Sequence, residues 1–190
     1  MDRIISVVGG HTALDYIVDV ENIAGKNESS PVIDYEEYPG GGGGAANIAV
    51  AIAKLGGKSQ LISPVGTDFS SSGYEKLLKE AYVDLSRLYT IEDRKISKAF
   101  IFTDRKITRP HIFTGGASSK FKELEPEPVD FVHLATADCV YNAKIAQIAG
   151  FVSFDRDRTL SLIQKKILRQ FSPTLTFFLQ TSMKSKGSQR

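Results

Sequence analysis

The 190-residue chain has no Trp, a single Cys and two Met. One cysteine, Cys139, excludes an intrachain disulfide framework and any zinc site built from several thiolates, and without an assignable partner base it reads as a small apolar residue rather than a nucleophile. The three histidines, His11, His111 and His133, are dispersed with no metal-ligand spacing, and they read as structural or surface residues. No apolar run approaches the ~20 residues that a membrane-spanning helix needs, so no membrane partner is expected. The first ten residues lack the charged n-region and long apolar h-region of a signal peptide, which makes a cytoplasmic location the default expectation. With 42% hydrophobic and 24% charged residues the chain is not disordered by composition, and at roughly 100 to 200 residues per domain it fits one globular unit.

The net charge of +2 hides a division. Up to Asp155 there are 16 Lys and Arg against 21 Asp and Glu; from Arg156 onward there are eight basic residues and one acid, Asp157. The segment 156–190 is therefore a basic tail. Its cations are interleaved with Ser, Thr and Gln and form no clean amphipathic pattern, so nucleic acid is not the expected partner; the tail is either a separate interaction segment or foreign to the fold.

Residues 1–155 read as alternating strands and helices. The apolar run 4–8, closed by Gly9 and Gly10, suits a strand buried on both faces. Segments 15–20 and 32–38 mix β-branched and aromatic residues with acids and flank a turn-rich stretch, as half-exposed strands of a flap do. After Pro39 come Gly40 to Gly44 and an Ala-rich segment, 45–55, which predicts a closely packed helix stopped by Gly56. A strand is predicted at 59–62, a loop from Pro64, a helix through 74–80, a second hairpin from 98–103 and 107–114, a core strand at 131–135, a helix at 141–149 and a strand at 151–154. The pattern calls for a mostly parallel sheet covered by helices, with a small β flap inserted.

The five glycines, Gly40 to Gly44, have three readings. They let backbone approach a ligand closely, ahead of a helix whose positive end and free N–H groups favour an anion or polar group. Ala45, Ala46 and Asn47 stand where a phosphate-binding P-loop needs Lys and Ser or Thr, so a P-loop is excluded. A dinucleotide fingerprint is matched by Gly40, Gly42 and Ala45, yet the acidic segment before them is no buried strand. A plain flexible linker is the third reading, although linkers rarely run straight into so apolar a helix.

Gly42-Gly43-Gly44-Ala45-Ala46-Asn47, then the apolar helix, Leu55-Gly56-Gly57 and Val65-Gly66-Thr67-Asp68 together resemble the amino-terminal signature of the PfkB carbohydrate kinases, the ribokinase-like sugar and nucleoside kinases. Val8-Gly9-Gly10-His11-Thr12-Ala13-Leu14-Asp15 resembles the family's first strand with its substrate aspartate, above all in archaeal members. Val83-Asp84-Leu85-Ser86, Phe100-Ile101-Phe102-Thr103-Asp104 and Val132-His133-Leu134-Ala135-Thr136-Ala137-Asp138 continue the series in order, so that it covers about residues 3 to 155.

The resemblance implies a ribokinase-like three-layer α/β/α sandwich with a small β-sheet lid, here segments 15–38 and 97–114, and with the family's carboxyl-terminal part missing. It implies ATP-dependent phosphoryl transfer to a hydroxyl of a small-molecule sugar or nucleoside, with ATP and Mg2+ as the family's cofactors, and it admits a homodimer through the lid. In that scheme Asp15 accepts hydrogen bonds from sugar hydroxyls, the backbone of Gly42 and Gly43 lies against the sugar, and Asn47 bonds another hydroxyl. A carboxylate and an amide suit vicinal diols. The residues alone leave alternatives: Asp15 as a solvated strand-edge acid, and Asn47 as the N-cap of the helix. The family's asparagine two positions before the aspartate is Ala13 here. Arg105, Lys106 and Arg109 lie in the second hairpin and read most simply as solvated, with contact of Arg109 to a substrate phosphate or base as the alternative.

Phosphoryl transfer also needs a base, donors for developing charge and a site for Mg-ATP. The family supplies these through Asn-x-x-Glu and Gly-Ala-Gly-Asp motifs, and neither occurs in this sequence, so no catalytic residue and no metal ligand is assigned. The family's Phe-Asp-Pro strand begins at Phe154-Asp155, but Arg156 replaces the proline where the charge reverses. A shifted reading frame or truncated gene produces such a coincidence, and the expectation is an inactive fragment or a sugar-binding, non-catalytic module with a basic tail. Within that tail only 160–171 suggests a short helix.

Overall fold

The computed structural model describes residues 4–8, 11–106, 110–154 and 176–177, with the backbone alone for 4–8, 37–40 and 176–177. Arg109, Asp155 and the predicted helix at 160–171 lie outside the described residues.

The chain folds as strand β1 (Ile4–Val8), β2 (Ala13–Val20), β3 (Val32–Gly42), helix α1 (Gly44–Lys54), β4 (Lys58–Gly66), α2 (Tyr74–Glu80), β5 (Asp84–Ile91), β6 (Ser97–Thr103), β7 (His111–Thr114), a 3-10 helix (Gly116–Glu123), β8 (Val129–Leu134), α3 (Cys139–Ile148), β9 (Ala149–Phe154) and β10 (Thr176–Phe177). Six strands form a parallel sheet in the order β10-β9-β8-β1-β4-β5, with β1 between β4 and β8. Of the basic tail only β10 is described, where it pairs with the end of β9.

Three layers follow from β4. Leu61 and Val65 point into an apolar cluster with Ala45, Ala46 and Ala49 of α1 and Tyr74 and Leu78 of α2. Ile62 points the other way, into a cluster with Phe121 of the 3-10 helix, Val132 and Leu134 of β8, and Tyr141 and Ile145 of α3. Successive strand residues face opposite sides of a sheet, so a strand covered on both faces reads as a continuous apolar run. Leu61 and Leu134 are fully buried, and such side chains contribute about 1.5–3 kcal/mol each relative to exposure. The alanines of α1 present no bulk toward the sheet, which is why that helix lies close to it. The α/β/α layering expected from the sequence is the one the chain adopts.

The other four strands make a separate sheet in the order β3-β2-β6-β7. Here β2 and β3 are antiparallel, β2 and β6 parallel, and β6 and β7 antiparallel. Pro39 is tolerated because β3 is an edge strand, where a missing N–H costs no ladder bond. This lid sheet is stitched to the core at its base. The Asp68 carboxylate accepts from the Ile96 N–H at 2.7 Å, and the buried Ser97 hydroxyl donates to the Gly115 carbonyl at 2.8 Å. Asp68, conspicuous in the sequence motif, therefore has a structural task.

Several boundaries differ from the sequence reading. Strand β3 runs on through the glycines to Gly42, which pairs with Ala13. Strand β4 continues through Pro64 to Gly66 instead of breaking into a loop. Its pairing with β1 stops at Ile62 opposite Val8, beyond which, among the described residues, only β5 is bonded to it, so a residue without an N–H is accommodated. Helix α3 begins two residues earlier than expected, where the Asp138 carboxylate accepts from the Val140 and Tyr141 N–H groups at 2.9 and 3.1 Å. That is an N-cap.

Candidate functional site

The lid meets the core at the glycine run, and the sequence-predicted residues lie around that junction. Asp15 is on β2, directly across from Ala99 of β6, which in turn faces Phe113 of β7. The next row on the same face holds Ile17, Ile101 and His111. His111 is near enough for its charge to favour ionised Asp15, yet burial outweighs it and pushes the Asp15 carboxyl up to about 6. Asp15 is only half-buried, so it is neither the fully solvated edge acid of the alternative reading nor a sealed core residue.

Gly42 closes the site on one side. A Cβ there would lie 2.3 Å from both the Ala13 carbonyl and Asp15 Oδ1. Only a residue without a side chain lets β3 press its backbone onto that carboxyl group. Gly43 follows with φ of 92°, and its Cβ would sit 1.6 Å from the His11 carbonyl oxygen, so a turn and a close approach coincide in one residue.

Gly43 is also the N-cap of α1, with no side chain bonding the first-turn amides and no acid in that turn. The N-cap alternative for Asn47 is thereby displaced. Asn47 sits one turn in, its backbone N–H donating to the Gly43 carbonyl at 3.1 Å and its side chain exposed. The structure thus brings Asp15 and Gly42 into contact, packs Gly43 against His11, and puts Asn47 on the helix turn that starts from Gly43.

Five neighbours of the junction, Tyr74, His11, Thr12, His111 and Phe113, were not assigned to the site from the sequence. Tyr74, fully buried at the start of α2, donates its hydroxyl to the Gly42 carbonyl at 2.5 Å. Its ionisation is pushed far above the usual tyrosine range by burial and then by the charge of Asp15. His11 packs its ring on Phe113 of the lid, with centroids 4.1 Å apart. Burial holds the His11 pKa down at about 4, so the ring is neutral, and its Nδ1 has no hydrogen-bond partner among the described residues. The Thr12 hydroxyl beside it is likewise buried without a partner among those residues. Only alternation along 111–114 signals that His111 and Phe113 share a face, and the partner strand that brings them to Asp15 is not in that signal.

Chemically, the junction offers a carboxyl group that ionises near neutrality, backbone free of side chains beside it, and the uncapped positive end of a helix. Such a set accepts hydroxyl hydrogens and tolerates a close, flat ligand. Cys139 lies at the start of α3, and its thiol is pushed up by burial and then by Asp138, which keeps it protonated and a poor nucleophile. Among the described residues no group of three or more His, Cys, Asp or Glu is placed to hold a metal ion. Among the same residues no helix is long and apolar enough to cross a membrane.

Comparison with known proteins gives a consistent picture. The profile described as "pfkB family carbohydrate kinase" matches residues 5–170. A nucleoside kinase of Methanocaldococcus jannaschii is 42% identical over 173 residues, covering 88% of this chain and 56% of that protein. The crystal structure of that organism's nucleoside kinase, an archaeal member of the ribokinase family, superposes with a TM-score of 0.79 at 36% identity, covering 93% of this chain and 62% of the other. The nucleoside kinase of Burkholderia thailandensis, solved with inosine, gives a TM-score of 0.74 at 18% identity over 90% of this chain and 58% of the other, a likeness of fold. The chain spans about half the length of the curated relatives it matches.

Proposed function

Because the chain belongs to the pfkB family of carbohydrate kinases, we propose that its lid–core junction is an acceptor site for the sugar hydroxyls of a nucleoside or free sugar. In this reading Asp15 accepts two hydroxyl hydrogens, Gly42 and Gly43 let the ring lie on bare backbone, and Asn47 bonds a further hydroxyl. The observation that carries it is the contact of Gly42 with the Asp15 carboxyl group, which no side chain at residue 42 would permit. Nucleosides are favoured over free sugars because the relative with the highest identity given above is a nucleoside kinase and the Burkholderia protein was solved with inosine.

Phosphoryl transfer, with ATP as donor and Mg2+ to offset the phosphate charge, is the family activity and belongs to the same proposal. Mg-ATP would supply the γ-phosphoryl group. The residues of this chain bind and orient the acceptor, and its sequence lacks the motifs that supply a base and an anion hole. The chain by itself is accordingly expected to bind acceptor without phosphorylating it, in the cytoplasm. A homodimer through the lid is supported by Val32, Tyr35 and Ile112, which are more than half exposed and share the lid face opposite Asp15.

Calorimetric titration of the 190-residue protein with inosine and with ribose tests the site. Asp15→Asn is expected to weaken binding by about 2 kcal/mol, roughly 30-fold, the scale of hydrogen bonds to a charged group. Equal affinity of wild type and variant would remove Asp15 from the site. ADP release from ATP in the presence of inosine would overturn the binding-only expectation.

A further inference from the structure

We propose that Tyr74 is a positioning residue of this site: by holding the Gly42 carbonyl it sets the plane of the Gly42–Gly43 peptide and keeps the Gly42 backbone against the Asp15 carboxyl group. The inference rests on the acceptor-site reading for its functional meaning, but the contact itself does not.

Tyr74 belongs to the core, not the lid. Its ring is fully buried among Phe69, Leu61 and Leu78, with Phe69 edge-on at 5.9 Å between centroids. From there the hydroxyl reaches across to the last residue of β3 and donates to the Gly42 carbonyl at 2.5 Å. The peptide unit is planar, and its C=O and N–H point in opposite directions. Holding the carbonyl toward α2 therefore turns the Gly43 N–H away from Tyr74. Rotation of that plane would lift Gly42 off Asp15 or drive it into the Ala13 carbonyl, because the clearance there admits no Cβ.

Two further observations fit. Gly42 is buried, so without the tyrosine its carbonyl loses the phenolic donor in a place where such losses are costly. Tyr74 also stays protonated, since burial and the neighbouring Asp15 charge both oppose its ionisation, so it remains a donor throughout the working range of the carboxyl group. Among the described lid residues, His111 on β7 acts electrostatically on Asp15, and a change at Tyr74 leaves it in place.

The test is Tyr74→Phe in the full 190-residue chain, which keeps the ring and its Phe69 contact and deletes the hydroxyl. A 13C NMR titration of the Asp15 carboxyl carbon needs no ligand. In wild type it is expected near pH 6, and in the variant the midpoint moves down toward 3.8 as Gly42 relaxes and water reaches the carboxylate. Inosine affinity is expected to fall about tenfold, the scale of one hydrogen bond. Phe69→Leu disturbs the same packing and should leave the Asp15 midpoint in place. A folded Tyr74→Phe protein whose Asp15 titrates as in wild type overturns the proposal. Should wild type bind no inosine, the acceptor reading fails while the carboxyl titration still decides the role of Tyr74. Should Tyr74→Phe not fold, the wild-type Gly42 carbonyl carbon decides: a hydrogen–deuterium isotope shift transmitted from the Tyr74 hydroxyl supports the proposal, and its absence refutes it.

Discussion

Gly43→Ala is expected to be among the most damaging single-methyl additions in the molecule, and the structure supplies its own control. At Gly43 two costs coincide. The φ of 92° forces an L side chain into a region that costs about 1–3 kcal/mol. The added Cβ would also lie 1.6 Å from the His11 carbonyl oxygen, which is backbone and cannot swing aside. Relieving that overlap means moving the chain before β2 or the first turn of α1, at the ~1–3 kcal/mol typical of overpacking. The sum is about 2–6 kcal/mol. Gly56, just past the end of α1, has φ of 85° but nothing within 4 Å of the Cβ position. Gly56→Ala should therefore cost only the same backbone term, about 1–3 kcal/mol. Urea unfolding of the three proteins, analysed at unchanged slope, reads both numbers. Equal losses for the two variants would refute the reasoning, because it attributes the excess at residue 43 wholly to contact with His11.

Other predictions concern pH, the third helix and the lid. Asp15 holds a proton in the native state between its unfolded value of 3.8 and about 6, so its contribution to stability is full below 3.8 and is lost as pH rises through 6. His11 does the reverse: held neutral down to about 4 against 6.5 when unfolded, it contributes above 6.5 and loses that as pH falls. In thermal melts from pH 6 to 4, the stability of wild type relative to Asp15→Asn should grow with acid and that relative to His11→Leu should shrink; parallel curves would contradict both assignments. Asp138→Ala removes the cap of α3 and should cost about 1 kcal/mol in urea melts, with Asp138→Asn retaining most of it. Phe113→Ala, which deletes the ring packed at a tilt on His11, should speed amide exchange in His111–Thr114 and Ser97–Thr103 while leaving β8 and β9 unchanged.

Much of this architecture is legible in the sequence because the main sheet is buried on both faces. Runs such as Phe131 to Ala135 need no partner to be recognised, and the glycines flanked by an Ala-rich segment identify the start of α1. Strand β5 escaped that reading: Asp84-Leu85-Ser86-Arg87 is half polar because β5 is a sheet edge, and polar edges resemble turns. The 3-10 helix escaped it as well, since its place is fixed by the burial of Phe121 and not by local propensity. At the site, the motif pointed to Asp15 and the glycines, whereas His111 and Phe113 are joined to them by pairing between distant strands and Tyr74 by a hydrogen bond from another helix. Long-range register is not written in any local window.

The lid sheet contains no chain terminus. Its four strands are joined to the core at four crossings, before Ala13, after Gly42, before Ser97 and after Thr114. A sheet with a loose end can unzip strand by strand from that end, but one tethered four times must either tilt as a plate or break in its middle. The Asp68 and Ser97 bonds clamp two of the tethers and the Tyr74 hydroxyl a third, so the hinge line of such a plate runs through the residues that form the candidate site. Anything seated against Asp15 would therefore lie at the pivot, where a rotation of the lid changes distances least, while the far ends of β2 and β3 sweep the largest arc.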